Sequence, residues 1–310
     1  VEPLGVSPEE LHSQVGTYGV PEFGTRFVRQ MLEVTRPRTF AELVRIRGLS
    51  HGTDVWLNNA QELIESQTAT LNEVIATRDD IMTFLIHQGL DKKQAFKIME
   101  NVRKGKGLTG EDIQVMESCS VPSWYTSSCQ KIKYMFPKAH AVAYVMMAFR
   151  IAYYKVYYHR EFYAAFFSVR AEDFDAELIL GGYEEVKGRI TEIEKMGNGA
   201  SPKDRKLLPV LEVALEMYAR GFRFLPVDLY RSEATRFLVC PEGLLLPFSA
   251  LPNVGDKAAE SVVAAREEGS FVSVEDLQRR AGISRTVIDI LKKSGCLDPL
   301  PETTQLSLFG

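Results

Sequence analysis

Two stretches of the chain carry residue types suited to holding anions. Residues 102–107, VRKGKG, place Arg103, Lys104 and Lys106 at a glycine-loosened helix end, the kind of cation cluster that clamps a triphosphate. Residues 131–144, KIKYMFPKAHAVAY, interleave cations with Tyr134, Phe136 and Tyr144 and deliver His140 at a predicted helix start. Aromatic faces stack bases while cations hold phosphates. Across 97–138 seven cations face four carboxylates, a local excess of +3 in a chain whose formal charge is -4. Contact with nucleic acid must therefore come from local patches. VRKGKG is not a P-loop: Gly105 and Gly110 have the spacing, but Glu111 and Asp112 follow where Lys and Ser or Thr are required. Taken alone, the run reads equally well as a solvated helix end.

A third stretch, residues 248–263 (FSALPNVGDKAAESVV), runs apolar, Leu251-Pro252-Asn253-Val254-Gly255, then polar, then into an apolar helix. It resembles the helix-hairpin-helix family, in which a tight turn aims backbone N–H groups at a nucleic-acid phosphate. Asn253 stands where that family usually has glycine, and Asn tolerates the left-handed conformation almost as well. Asn253, Val254, Gly255 and Lys257 are the predicted DNA contacts, Lys257 adding charge. Residues 282–294 (GISRTVIDILKKS) look like a degenerate second copy with Ser284 in a glycine position. The competing reading is a plain turn between helices. Such hairpins grip the backbone and not the bases, so binding would be sequence-tolerant and salt-sensitive.

The elements that must position these residues are mostly helical. Apolar spacing predicts a helix over 26–34, and one over 40–47 with Thr39 as N-cap and Gly48 as its stop. Amphipathic helices over 78–88 and 91–103 follow, split by Gly89 and with Asp91 as cap, then one long aromatic helix over 140–167. Residues 172–223 read as helical with a break at 197–202. Between 222 and 247 the period shortens to two, predicting short strands, and 248–298 return to short helices. A weak internal similarity relates 251–266 to 280–294. The expected class is mainly α: a helical domain over 1–165, a helical connector with short strands over 166–247, a tandem helix-hairpin-helix domain over 248–300 and a tail over 301–310.

Composition excludes several classes. At 310 residues, 45% hydrophobic and 25% charged, the chain is globular and long enough for two or three domains. Cysteines 119, 129, 240 and 296 form no disulfide framework, and the histidines lack paired metal-ligand spacing. The longest apolar run, 141–149, is far below the roughly 20 residues of a membrane span. The chain opens Val1-Glu2-Pro3-Leu4, with no basic start or apolar run to suggest a secretory signal, and the missing initiating Met suggests a fragment. A reduced, cytoplasmic location is expected.

GLSHGTDVW (48–56), the VRKGKG run and YMFPKAHAVAY (134–144), followed by a tyrosine-rich helix, resemble the fingers of the C-family bacterial replicative DNA polymerases, and most closely their PolC type. The order of fingers, tandem helix-hairpin-helix domain and short tail is also that family's. The resemblance implies that Ser50 and His51, in the GLSHG turn, lie beside the nascent base pair. It implies that Arg78, Arg103, Lys104 and His140 contact the triphosphate, with Tyr134 near the sugar or base. Gln305, Leu306, Ser307, Leu308 and Phe309 look like a motif for the sliding clamp (beta). Implied partners are primer–template DNA, incoming dNTP, the clamp and other replisome subunits, with no membrane.

Mg2+ would be held by palm carboxylates outside this chain, which alone would be inactive. Asp173-Phe174-Asp175 matches the region after the fingers and not the palm, and Asp175 reads as a helix cap. The alternative reading is a non-enzymatic helix-hairpin-helix module of a repair or recombination protein, which leaves GLSHGTDVW and YMFPKAHAVAY without a cause.

Overall fold

A computed structural model describes residues 1–170 and 173–303. They are mainly helical and fall into two compact units, one of Val20–Ala152 and one of Val1–Gly19 with Tyr153–Gly310. After a 3-10 turn over Glu2–Leu4 comes a short helix, α1 (Pro8–Leu11), which belongs to the second of these.

The Val20–Ala152 unit comprises α2 (Arg26–Thr35), α3 (Phe40–His51), α4 (Gln61–Glu65), α5 (Arg78–His87), α6 (Lys92–Arg103), α7 (Gly110–Ser118), α8 (Ser123–Lys131) and most of α9 (Lys138–Tyr157). Their starts follow from capping chemistry. Thr39 and Thr109 each close a capping box with the acid three residues on, the Thr77 amide donates to Asp80, and Asp91 accepts from the Lys93 and Gln94 amides. In α9 the residues Ala141, Val145 and Ala148 are buried at helical spacing.

Two expectations are corrected. Helix α3 does not stop at Gly48 but runs on to His51, so Ser50 and His51 lie on its last turn and not in a loop. Gly48 is there for packing: a Cβ on it would collide with the Ala76 carbonyl. The aromatic helix expected over 140–167 is two helices, α9 and α10 (His159–Val169), because Tyr158 leaves helical geometry at φ -127, ψ 50. That break turns Phe162, Tyr163 and Phe167 of α10 inward, where all three are buried.

The second unit continues with α11 (Ala176–Leu180), α12 (Tyr183–Met196) and α13 (Pro202–Ala219). Ser201 caps α13 and Pro202 sits in its first turn, so the expected break near 197–202 is real. Short strands β1 (Phe224–Leu225), β2 (Leu238–Cys240) and β3 (Gly243–Leu245) form a sheet ordered β1-β3-β2, with β1 parallel and β2 antiparallel to β3. Phe167, Phe174, Phe224 and Phe237 pack ring against ring beside it. Helices α14 (Asp256–Glu267), α15 (Val274–Ala281) and α16 (Arg285–Lys293) complete the described chain. Among the described residues no helix is long and apolar enough to cross a membrane.

At the heart of this unit lies a buried charge network. Lys155 Nζ is 2.7 Å from a Glu216 carboxylate oxygen and donates to the carbonyls of Gly16 at 2.9 Å and Tyr18 at 2.6 Å. The Tyr163 hydroxyl donates to Glu216 at 2.8 Å, and Arg220 donates to that hydroxyl at 3.1 Å and to the Lys155 carbonyl at 2.9 Å. Burial, with Glu216 alongside, pushes the Tyr163 hydroxyl far above its ordinary pKa.

Candidate functional site

In the Val20–Ala152 unit the segment 133–138 ties three helix ends together through its backbone. Thr53, just past α3, pairs with Tyr134, donating to its carbonyl at 2.9 Å and accepting from the Lys133 amide at 3.0 Å. The Met135 amide donates to the Arg103 carbonyl at the end of α6 at 3.3 Å. The Arg78 amide, at the start of α5, donates to the Phe136 carbonyl at 3.2 Å, and the Lys138 amide donates to Asp79 at 2.6 Å. Glycines in both neighbouring motifs allow this approach. A Cβ on Gly105 would sit 2.5 Å from the Lys133 carbonyl oxygen, and one on Gly52 would sit 2.9 Å from that of Tyr134.

The side chains of Arg78, Arg103 and Lys104 meet at one carboxylate, Glu100. Arg103 donates to both its oxygens, Nε to Oε1 at 2.5 Å and Nη2 to Oε2 at 2.8 Å. Lys104 Nζ stands 2.9 Å from Oε2, and Arg78 Nη1 is 3.9 Å from Oε1. The bonds from Arg103, then Lys104, hold the Glu100 carboxyl down at about 2. It is therefore ionised at neutral pH, and the cluster carries three positive charges against one negative.

A ladder of side-chain contacts joins Tyr134 to His51. Tyr134 packs edge-on to Phe136 at 5.0 Å, Phe136 stacks on His140 at 5.2 Å, and His140 meets Tyr144 at 4.7 Å. Arg47 lies over the Tyr144 ring at 4.9 Å and pairs with Glu22 at 2.6 Å. Glu22 also reaches His51 Nε2 at 3.3 Å, while His51 Nδ1 and the Ser50 hydroxyl are 2.8 Å apart. Burial and the Arg47 charge lower the His51 pKa, against the opposing pull of Glu22. Tyr134 and Tyr144 keep 44% of their surface exposed, so the ladder offers aromatic faces to solvent.

The structure thus draws the nucleotide-site residues expected from sequence into two groups: Arg78, Arg103 and Lys104 around Glu100, and Tyr134, His140, Ser50 and His51 along the ladder. Sequence reasoning missed the linking residues Glu22, Arg47 and Glu100. Glu100 was legible, since it lies three and four residues before Arg103 and Lys104, the spacing of neighbours on one helix face. Glu22 and Arg47 meet only through the tertiary fold.

In the other unit two hairpins repeat one backbone geometry. Asn253 and Gly282 are left-handed, at φ 64 and φ 62. Gly255 and Ser284, two residues on, are the N-caps of α14 and α16, at φ -75, ψ 158 and φ -69, ψ 157. Val254 and Ile283 between them are both buried. Ser284 caps α16 by accepting from the Val287 amide, whereas no side chain caps α14. The first turn of α14 thus has no side-chain cap for its amides, and Lys257 is exposed beside them. At φ -75 the Gly255 backbone does not require glycine, and a Cβ there would meet nothing within 4 Å.

The carboxylates of 173–175 have partners within the chain. Asp175 caps α11 by accepting from the Leu178 amide at 3.2 Å, and Asp173 faces Arg170 at 3.6 Å. Among the described residues no three His, Cys, Asp or Glu side chains are grouped to hold an ion. The expected clamp motif, Gln305–Phe309, lies outside the described residues.

Two family models match parts of the chain. The model of the bacterial DNA polymerase III alpha subunit finger domain matches residues 9–118, and that of the helix-hairpin-helix motif matches residues 221–306. Together they define a segment of the bacterial DNA polymerase III alpha-subunit class. The chain is 63% identical to the DNA polymerase III PolC-type of Caldanaerobacter subterraneus subsp. tengcongensis over 309 residues, which is 100% of this chain and 22% of that protein. It is 57% identical to the PolC-type enzyme of Clostridium perfringens and 56% to that of Bacillus subtilis, in each case over 99% of this chain and 21% of the relative. The chain belongs to the PolC-type DNA polymerase III family, and it spans about a fifth of the length of the curated relatives it matches.

Proposed function

We propose that this chain supplies the nucleotide-binding fingers, the duplex-gripping module and the clamp tether of a replicative DNA-directed DNA polymerase working in the cytoplasm. The observation that carries the reading is the convergence of Arg78, Arg103 and Lys104 on one carboxylate, at the edge of an exposed aromatic ladder. Cations set in advance around one point suit a triphosphate, whose negative charge grows on the leaving pyrophosphate in the transition state. The Tyr134–Tyr144 ladder offers faces for the sugar and base, and Ser50 and His51 offer polar atoms beside the nascent pair. The Asn253–Gly255 turn, with Lys257, holds a backbone phosphate of the primer–template duplex through the amides of α14.

The chemical step belongs to Mg2+-holding carboxylates in the palm, outside this chain, so the segment binds and orients without catalysing. The Gln305–Phe309 peptide would tether the polymerase to the sliding clamp among the other replisome subunits. Its own affinity would be modest, with avidity supplied by DNA.

The test uses the full-length polymerase on primer–template DNA with a photoreactive dNTP. Labelling should map within 97–144, be competed by unmodified dNTP and be lost in Arg103→Ala. That variant should also lose about 10- to 100-fold in kcat/KM. Normal kinetics and retained labelling in Arg103→Ala would overturn the nucleotide-site reading.

A further inference from the structure

An acid in the middle of a triphosphate site needs a reason, because its charge repels the ligand. Glu100 stands on α6, three and four residues before Arg103 and Lys104, and its two oxygens receive three cations. The contacts are unequal. Arg103 is held bidentately by its Nε and Nη2 groups, while Lys104 makes one contact and Arg78 approaches no closer than 3.9 Å. Arg103 Nη1 has no partner among the described residues. The Arg103 main chain is fixed as well, through the Met135 amide.

We propose that Glu100 is a positioning residue for the incoming nucleotide: it locks the Arg103 guanidinium so that its Nη1 edge meets the phosphates, and it releases Lys104 and Arg78 to them when nucleotide arrives. The inference rests on the nucleotide-site reading given above. Three neighbouring cations without a counter-charge repel one another and spread into many rotamers. Ordering them as nucleotide binds would then cost conformational entropy at each turnover. A shared carboxylate holds them together beforehand, and the planar bidentate pair fixes the orientation of Arg103, which a point contact does not. The weaker contacts to Lys104 and Arg78 are the ones a phosphate oxygen displaces. Glu100 acts through Arg103 and touches no phosphate.

This predicts a split between kcat and KM. Removing the carboxylate charge strengthens general attraction for the triphosphate while loosening its alignment, so binding changes little and turnover falls. In the full-length polymerase, single-nucleotide incorporation is measured for the parent, Glu100→Gln, Glu100→Asp, Arg103→Ala and the Glu100→Gln/Arg103→Ala double variant. Glu100→Gln should lower kcat about tenfold with KM within about threefold, and Glu100→Asp should recover part of the loss. In the Arg103→Ala background the Glu100→Gln change should cost less than about twofold, since the residue it positions is gone.

An unchanged kcat with a lower KM would mean that Glu100 only opposes the ligand, and would overturn the proposal. An equal loss in both backgrounds would do the same, by showing a structural role independent of Arg103. Impaired Arg103→Ala beside a wild-type Glu100→Gln removes the Glu100 inference and leaves the nucleotide site intact. A wild-type Arg103→Ala removes both.

Discussion

The α-carbon of Gly105 faces the carbonyl of Lys133 so closely that a Cβ would lie 2.5 Å from its oxygen. This contact locks the VRKGKG turn onto the segment that leads into α9, and so sets Arg103 beside Tyr134. Two motifs separated by a whole helix pair thus lie side by side because one of them has a glycine in the right place.

Gly105→Ala should therefore destabilise the Val20–Ala152 unit by two effects, a strained φ of 71 and a backbone collision. Gly107, also at φ 71 but with nothing within 4 Å, provides the control. Gly107→Ala should cost about 1 kcal/mol and Gly105→Ala about 2–3 kcal/mol or more, read as midpoint shifts in denaturant. Equal losses would show that the Lys133 contact relaxes freely.

Gly255→Val separates binding from folding, since the side chain enters open space at an ordinary φ. Duplex affinity should fall by about tenfold at moderate salt, from blocked approach of a phosphate to the α14 amides, while the unfolding midpoint stays close to the parent's. Unchanged affinity would leave the first hairpin without a role in DNA binding.

Much of this was legible in advance because it is written in local chemistry. The caps Thr39 and Asp91, the break near 197–202, the short strands and the left-handed Asn253 all follow from residue types a few positions apart. What escaped depends on distant partners. Gly48 looks like a helix stop until Ala76 is seen packed on it. Tyr158 breaks a helix that no proline or glycine marks. Lys155, a cation in an aromatic helix, is buried only because Glu216 and two carbonyls from residues 16 and 18 await it.

Lys155→Met leaves the Glu216 carboxylate buried without its cation and strips both carbonyls of a donor. The expected loss is about 3–5 kcal/mol in denaturant unfolding. Adding Glu216→Gln to Lys155→Met should restore part of this loss, since the uncompensated charge is the larger fault. If the single variant is near neutral, water reaches the network and the ion pair contributes little.

Two histidines give the fold an acid-side sensitivity. Burial and neighbouring guanidinium groups lower the pKa of His51, near Arg47, and of His159, near Arg220 and Arg160, below the ordinary 6.5, with Glu22 and Glu161 pulling more weakly the other way. The native state then binds fewer protons than the unfolded chain in this range, so stability rises with pH. The contribution is complete above 6.5 and is lost as pH falls from there through the lower native values. Thermal midpoints should therefore drop between about pH 7 and pH 5, and the His51→Gln/His159→Gln pair should flatten that slope. The histidines are the groups to ask, because Glu100, held at about 2, stays ionised across the whole window. An undiminished slope in the double variant would assign the acid sensitivity to carboxylates elsewhere.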